Sequence, residues 1–227
     1  MLSALPFYIT AIFIVTVVLT LLLLLNALHK RSTVGIILIA WLALNAALAL
    51  NGFYQEAGSI PPHFLLAVAP ALITIILLLS TRRGNLWLQS VNLRSLTLMS
   101  VVRIPVELVL LWLYQYRAVP QLMTFTGSNF DILSGISAPV MYFLCFHDDR
   151  LIRPRLLLAW NILCLLLLLN VVVRGLLSAP FVFQAFAFDQ PNIAVLYFPF
   201  VWLPSFIVMA VLFGHLFSIR QIIGKKY

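Results

Sequence analysis

Apolar positions along this 227-residue chain do not recur with the period of an amphipathic surface helix. They form long unbroken runs parted by short polar connections, the pattern of helices that cross about 30 Å of hydrocarbon. Seven runs are legible, at 5–28, 34–53, 64–80, 93–116, 130–146, 156–177 and 193–219. They predict an all-α integral membrane protein, a seven-transmembrane-helix bundle forming a single polytopic membrane domain over 1–227. The third and fifth runs are the shortest, and Pro70 and Pro139 lie inside them.

The fourth run organises the rest, because it carries Arg103 and Glu107 on either side of Pro105, near the expected bilayer midplane. An ionised side chain at a helix centre costs about 2.5 to 3.5 kcal/mol on insertion scales, so an uncompensated pair would cost roughly 5 to 7. Four residues apart, the two lie on one face, with Ser100 and Tyr114 near the same stripe. Arginine before glutamate is the weaker order for pairing within one helix, so each is expected to find a partner on another. Pro105 has no N–H, frees the carbonyl of Val101 and bends the helix beside both charges. A kinked, charged midplane predicts a cavity.

Composition narrows the class. With 63% hydrophobic and 9% charged residues, the chain fits neither a water-soluble domain nor a disordered one. A net charge of +8 would suggest nucleic acid in a soluble protein, but here the basic residues gather in alternate connections and no nucleic-acid partner is expected. His29, Lys30 and Arg31 follow the first run, and Arg82, Arg83 and Arg94 the third. Arg150, Arg153 and Arg155 follow the fifth, and Arg220, Lys225 and Lys226 close the chain, against only Arg117 and Arg174 on the other side. The positive-inside rule then puts the N-terminus outside and the C-terminus in the cytoplasm, as seven spans require. The expected location is the plasma membrane, or the inner membrane of a bacterium. The first residues lack a basic leader, so no cleaved signal is expected.

In that orientation Asp148 and Asp149 are cytoplasmic, whereas Glu56, Asp131 and Asp189 fall near outer ends and Glu107 just outward of the midplane. Asn51, Gln55, Asn129, Asn170, Arg174, Gln184 and Asn192 join them in the outer half. The simplest arrangement is a polar vestibule opening outward. Asp131 has two readings: Ser128 to Asp131 resembles a helix-capping box, and an outer-facing acid would also pair with Arg103 or Arg174. Asn170 and Arg174 share a helix face. The apolar, aromatic connections 117–129 and 178–192 are expected to lie in the interface or to fold over the outer mouth.

Several chemistries have no residues to carry them. Cys145 and Cys164 lie inside apolar runs, as buried free cysteines do. His29, His63 and His147 sit at run ends, and His215 stands alone near the end of the last, read as a packing or interfacial residue. There is no HExxH, HxxxH, GxSxG or phosphate-binding glycine loop. No lysine lies inside a run, so a retinal Schiff base has no anchor. No metal or cofactor is therefore expected.

The function expected is a small carrier or permease with a polar pocket around Arg103 and Glu107. Asp131, Asn129, Asn170 and Arg174 are the further substrate- or proton-binding candidates, and Glu107 the protonatable group. Membrane lipids and a small-molecule ligand are the expected partners. The alternative is a sensory or assembly subunit that binds a lipid or partner protein and uses the polar cluster as a packing core. An intramembrane enzyme comes third, and would need Glu107 and Asp131 close together or a buried hydroxyl beside a base.

Overall fold

The computed structural model describes residues 5–29, 32–56, 59, 61–88, 90–148 and 150–224, without the side chains of Asn85 and Leu88. Lys30, Arg31, Asp149, Lys225 and Lys226 of the charge pattern lie outside the described residues. Helices α1 (Phe7–Ala27), α2 (Ser32–Leu50), α3 (Leu65–Ser80) and the short α4 (Arg82–Leu88) come first. Helix α5 (Leu93–Met99) continues through a 3-10 turn (Ser100–Val102) into α6 (Arg103–Gln115). Then come α7 (Ile132–Cys145), α8 (Pro154–Leu177), a π turn (Leu203–Ile207) and α9 (Val208–Gly224).

Among the described residues, five helical segments are long and apolar enough to cross a membrane: α1, α2, Leu93–Gln115, α8 and Leu203–Gly224. Helices α3 and α7 are apolar but shorter, at 16 and 14 residues. The chain is thus helical and membrane-compatible. Among the described residues there is also a two-stranded antiparallel ribbon of β1 (Phe146–His147) and β2 (Arg150–Leu151) in the connection between α7 and α8. Asp148 in its turn has φ 44°.

Three boundaries differ by three residues or more from the hydropathy reading, one being the end of the last span at Gly224 rather than 219. Helix α2 stops at Leu50 rather than 53, because Gly52 takes a left-handed φ of 75° and starts a separate 3-10 turn (Phe53–Gln55). The last span begins at Leu203 rather than 193. Residues 193–202 are as apolar as a helix, yet Pro199 and Pro204 remove two backbone donors from the stretch. It folds instead as a 3-10 turn (Ala194–Leu196) and a tight connection with a cis Phe198–Pro199 bond. The π turn follows at Pro204. Trp41 of α2 donates to the Ser205 carbonyl at 3.1 Å and Trp202 to the Leu42 carbonyl at 2.9 Å, two reciprocal bonds that lash α2 to this irregular backbone.

Burial is inverted relative to a soluble protein. Phe143, Ile36, Val15 and Leu22 are each at least 60% exposed, whereas Arg103, Glu107 and His215 are at most 2% exposed. Such a surface needs hydrocarbon around it, and such an interior needs hydrogen-bonded partners. The segment from α5 to α6 is the axis, packed against α1, α7 and α9. Gly135 lets α7 approach the 3-10 turn before Pro105: a Cβ there would stand 2.8 Å from Ile104 Cγ1 and 3.3 Å from the Ser100 carbonyl oxygen. That contact fixes α7, and Asp131 at its start, against Arg103.

A buried polar cluster and its cavity

Arg103 opens α6 at the foot of the kink, where its guanidinium meets three other elements. Nη1 donates to Asp131 Oδ1 at 2.5 Å and to the Cys164 carbonyl of α8 at 3.4 Å. Nη2 lies 3.1 Å from His215 Nε2 of α9. Arginine only donates, so Nε2 is the accepting nitrogen and the imidazole proton is on Nδ1. Nδ1 then donates to Asn161 Oδ1 at 2.8 Å, and Asn161 Nδ2 donates to the Leu157 carbonyl at 2.8 Å, one turn back along α8. Each assignment fixes the next. The edge of Trp160 closes the imidazole's flank with ring centroids 5.7 Å apart, and its indole N–H bonds Ser137 Oγ at 2.8 Å.

Glu107 does not turn back to Arg103. Its Oε1 accepts from Asn129 Nδ2 at 2.5 Å, in a connection whose glycine has a steric reason: a Cβ on Gly127 would stand 2.2 Å from the Gln121 carbonyl oxygen. Asn129 also donates to the Met123 carbonyl at 2.9 Å and accepts from the Asp131 backbone N–H at 3.0 Å. With no solvent exposure, this one amide ties the connection to Glu107 and holds Asp131 toward Arg103. The capping-box reading of Asp131 is therefore replaced: its carboxylate makes no cap bond and pairs with Arg103, while Asn129 bonds the Asp131 N–H.

Asn170 and Arg174 sit elsewhere. Arg174 Nε donates to Asn170 Oδ1 at 2.8 Å, and Asn170 Nδ2 donates to the Ser128 carbonyl at 2.9 Å. They brace the connection that delivers Asn129 and do not line the cavity. Of the other polar residues expected in the outer half, Asn51 bonds its own helix, and Asn192 bonds the Gly175 carbonyl while lining the cavity described below. The two aromatic connections are stitched together, Gln190 bonding the Tyr114 and Val119 carbonyls and the Ile193 and Ala194 N–H groups the Ala118 carbonyl.

A cavity of about 390 Å³ reaches Arg103, Glu107 and Asp131. Instead of the polar vestibule suggested by the outer-half residues, its walls are almost wholly apolar: Phe64 just before α3 and Val68 within it, Leu168 and Val172 of α8, Ile207 and Leu212 behind. Leu65 and Leu72 of α3 and Leu169 and Leu176 of α8 line it while being 36–43% exposed. The cavity thus opens sideways, between α3 and α8, onto the apolar outer face. Three buried polar atoms of residues that line it lack a hydrogen-bond partner: Glu107 Oε2, Arg103 Nε and Asn192 Oδ1.

Sequence reasoning missed His215 and Asn161 as members of this cluster. The signal was present, since both are polar groups inside apolar runs, where such groups face protein. Their distance in sequence from Arg103 hid the pairing. No protein-family model matches this chain, and neither do curated proteins or solved structures.

Proposed function

We propose that this chain is a small plasma-membrane carrier, a seven-span bundle with the N-terminus outside, and that the cavity at Arg103, Glu107 and Asp131 is where it holds its cargo. The observation that carries this reading is a cavity within the ~300–1,000 Å³ range of small-molecule sites that ends on a buried carboxylate with a free oxygen. A cluster serving only as a packing core would have every polar atom paired and no ligand-sized space beside it.

Within the reading, Asp131 and His215 hold the guanidinium of Arg103 still, and Asn129 holds one oxygen of Glu107. The other oxygen is the contact for cargo or for a proton exchanged with it. Helices α3 and α7, apolar, 16 and 14 residues long and each with a proline inside, complete the seven spans. The test is cargo or proton flux in proteoliposomes: Glu107→Gln should abolish it, and unchanged flux would remove Glu107 from the mechanism. A binding-only sensory subunit is the second reading, favoured by the sideways opening; it would bind the same ligand with no flux in either protein.

A further inference from the structure

The shape and charge of the cavity also specify its cargo, provided the cavity is a ligand site. We infer that it takes a long-chain primary amine, whose tail lies between α3 and α8 and whose ammonium donates to Glu107 Oε2.

Three observations converge. First, the walls are apolar and their rim residues Leu72 and Leu169 belong to the lipid-type outer surface, so a tail slides in from the bilayer without crossing water. A sugar or other polyol would find Glu107 Oε2, Arg103 Nε and Asn192 Oδ1 for a few of its hydroxyls and would set the rest against leucine and valine, at a steep desolvation cost. Second, the cluster's charges sum unevenly. Arg103 and Asp131 cancel as a direct ion pair, and His215 is neutral, because its Nε2 accepts from Arg103. Glu107 is left as the acid whose bonded partner is a neutral amide, Asn129. Third, Oε2 of that acid is buried, unpartnered and on the cavity floor. A monocation with N–H donors balances the charge and fills the vacant acceptor in one contact, the charge-assisted kind that outweighs a neutral hydrogen bond about twofold. A fatty carboxylate would meet Glu107 as a like charge.

The tail contributes little selectivity, since it exchanges one apolar surrounding for another; the head group decides. The experiment is therefore equilibrium binding of radiolabelled dodecylamine to the full chain in zwitterionic nanodiscs, competed by unlabelled dodecylamine, dodecanol and dodecanoate. Dodecylamine is expected to compete at least about tenfold better than either of the others, a difference of about 1.4 kcal/mol. Glu107→Gln should weaken dodecylamine by a similar factor and leave dodecanol unchanged. Glu107→Asp, which withdraws the carboxylate by one methylene, should do the same should the glutamine variant not fold. Val68→Trp, which fills the cavity, should remove binding of every probe.

Equal competition by dodecanol, preference for dodecanoate, or full amine affinity in a folded Glu107→Gln protein would each overturn the amine assignment. Dodecanol binding that is lost in Val68→Trp and indifferent to Glu107 would do so while leaving the cavity as a ligand site. Binding of all three probes that ignores Val68→Trp would overturn both readings.

Discussion

Arg103 Nη2 and His215 Nε2 meet at 3.1 Å across 112 positions of sequence, joining the kinked central helix to the last one. The bond sets the imidazole tautomer, and through Asn161 it anchors the pair to α8. Replacing His215 by Phe keeps a ring of similar size but removes both bonds. It should lower stability by about 1–3 kcal/mol, the cost of buried polar groups left unpaired. His215→Gln, which can both accept and donate, should recover part of that loss. Thermal or denaturant unfolding in one detergent compares the two.

The Arg103–Asp131 pair is buried on both sides, with side chains 3% and 7% exposed. Breaking such a pair strands a charge, so Asp131→Asn should cost about 3–5 kcal/mol. Removing both charges together, as Arg103→Met with Asp131→Leu, should restore most of the stability, because well-packed apolar replacements of buried ion pairs are often neutral. A double-variant unfolding cycle reads the difference. An additive result would mean that the two groups do not act as a pair.

Gly135 is where α7 touches the kink. Ile104 Cγ1 would be 2.8 Å from a Cβ, and the Ile104 amide nitrogen 3.1 Å. Gly135→Ala should therefore cost about 1–3 kcal/mol by overpacking and should also disturb the site, since Asp131 lies one turn away. Gly224→Ala, whose Cβ would meet nothing within 4 Å, is the control. Unfolding midpoints of the two variants decide.

Outside the spans, Tyr54 is buried at 1% exposure and its hydroxyl donates to Asn45 Oδ1 at 2.9 Å. Burial disfavours the phenolate and pushes its pKa up from the ordinary tyrosine value of 10.0 to about 12. An acid whose folded-state pKa is raised stabilises the fold below its unfolded pKa, and that contribution is lost as pH climbs through the folded one. Stability should fall between pH 10 and about 12, at up to about 1.4 kcal/mol per pH unit from this group. Tyr54→Phe should flatten that part of the profile. A slope unchanged in the variant would show that Tyr54 does not titrate there.

Much of the molecule was legible from apolar runs alone, because in a membrane every backbone group must be paired within a helix. The runs gave α1, α2 and α8 within a few residues at most termini, and the order of Arg103 before Glu107 pointed to separate partners off their own helix. Residues 193–202 were misread because hydropathy is blind to what Pro199 and Pro204 do to a hydrogen-bond ladder. The polar vestibule was misread for a different reason. Asn170 spends its amide on the Ser128 carbonyl and on Arg174, and neither residue lines the cavity, whereas Asn192 does; a list of polar residues cannot distinguish such braces from a lining. His215 needed the folded chain, because only packing brings α9 beside α6.

All of this turns on the space between α3 and α8 being a place where a molecule sits. The most direct measurement is native mass spectrometry of the full chain released from micelles loaded with dodecylamine, comparing wild type with Val68→Trp. One retained amine per chain is expected in the wild type and none in the folded variant. Equal retention by both, or none by either, would contradict it.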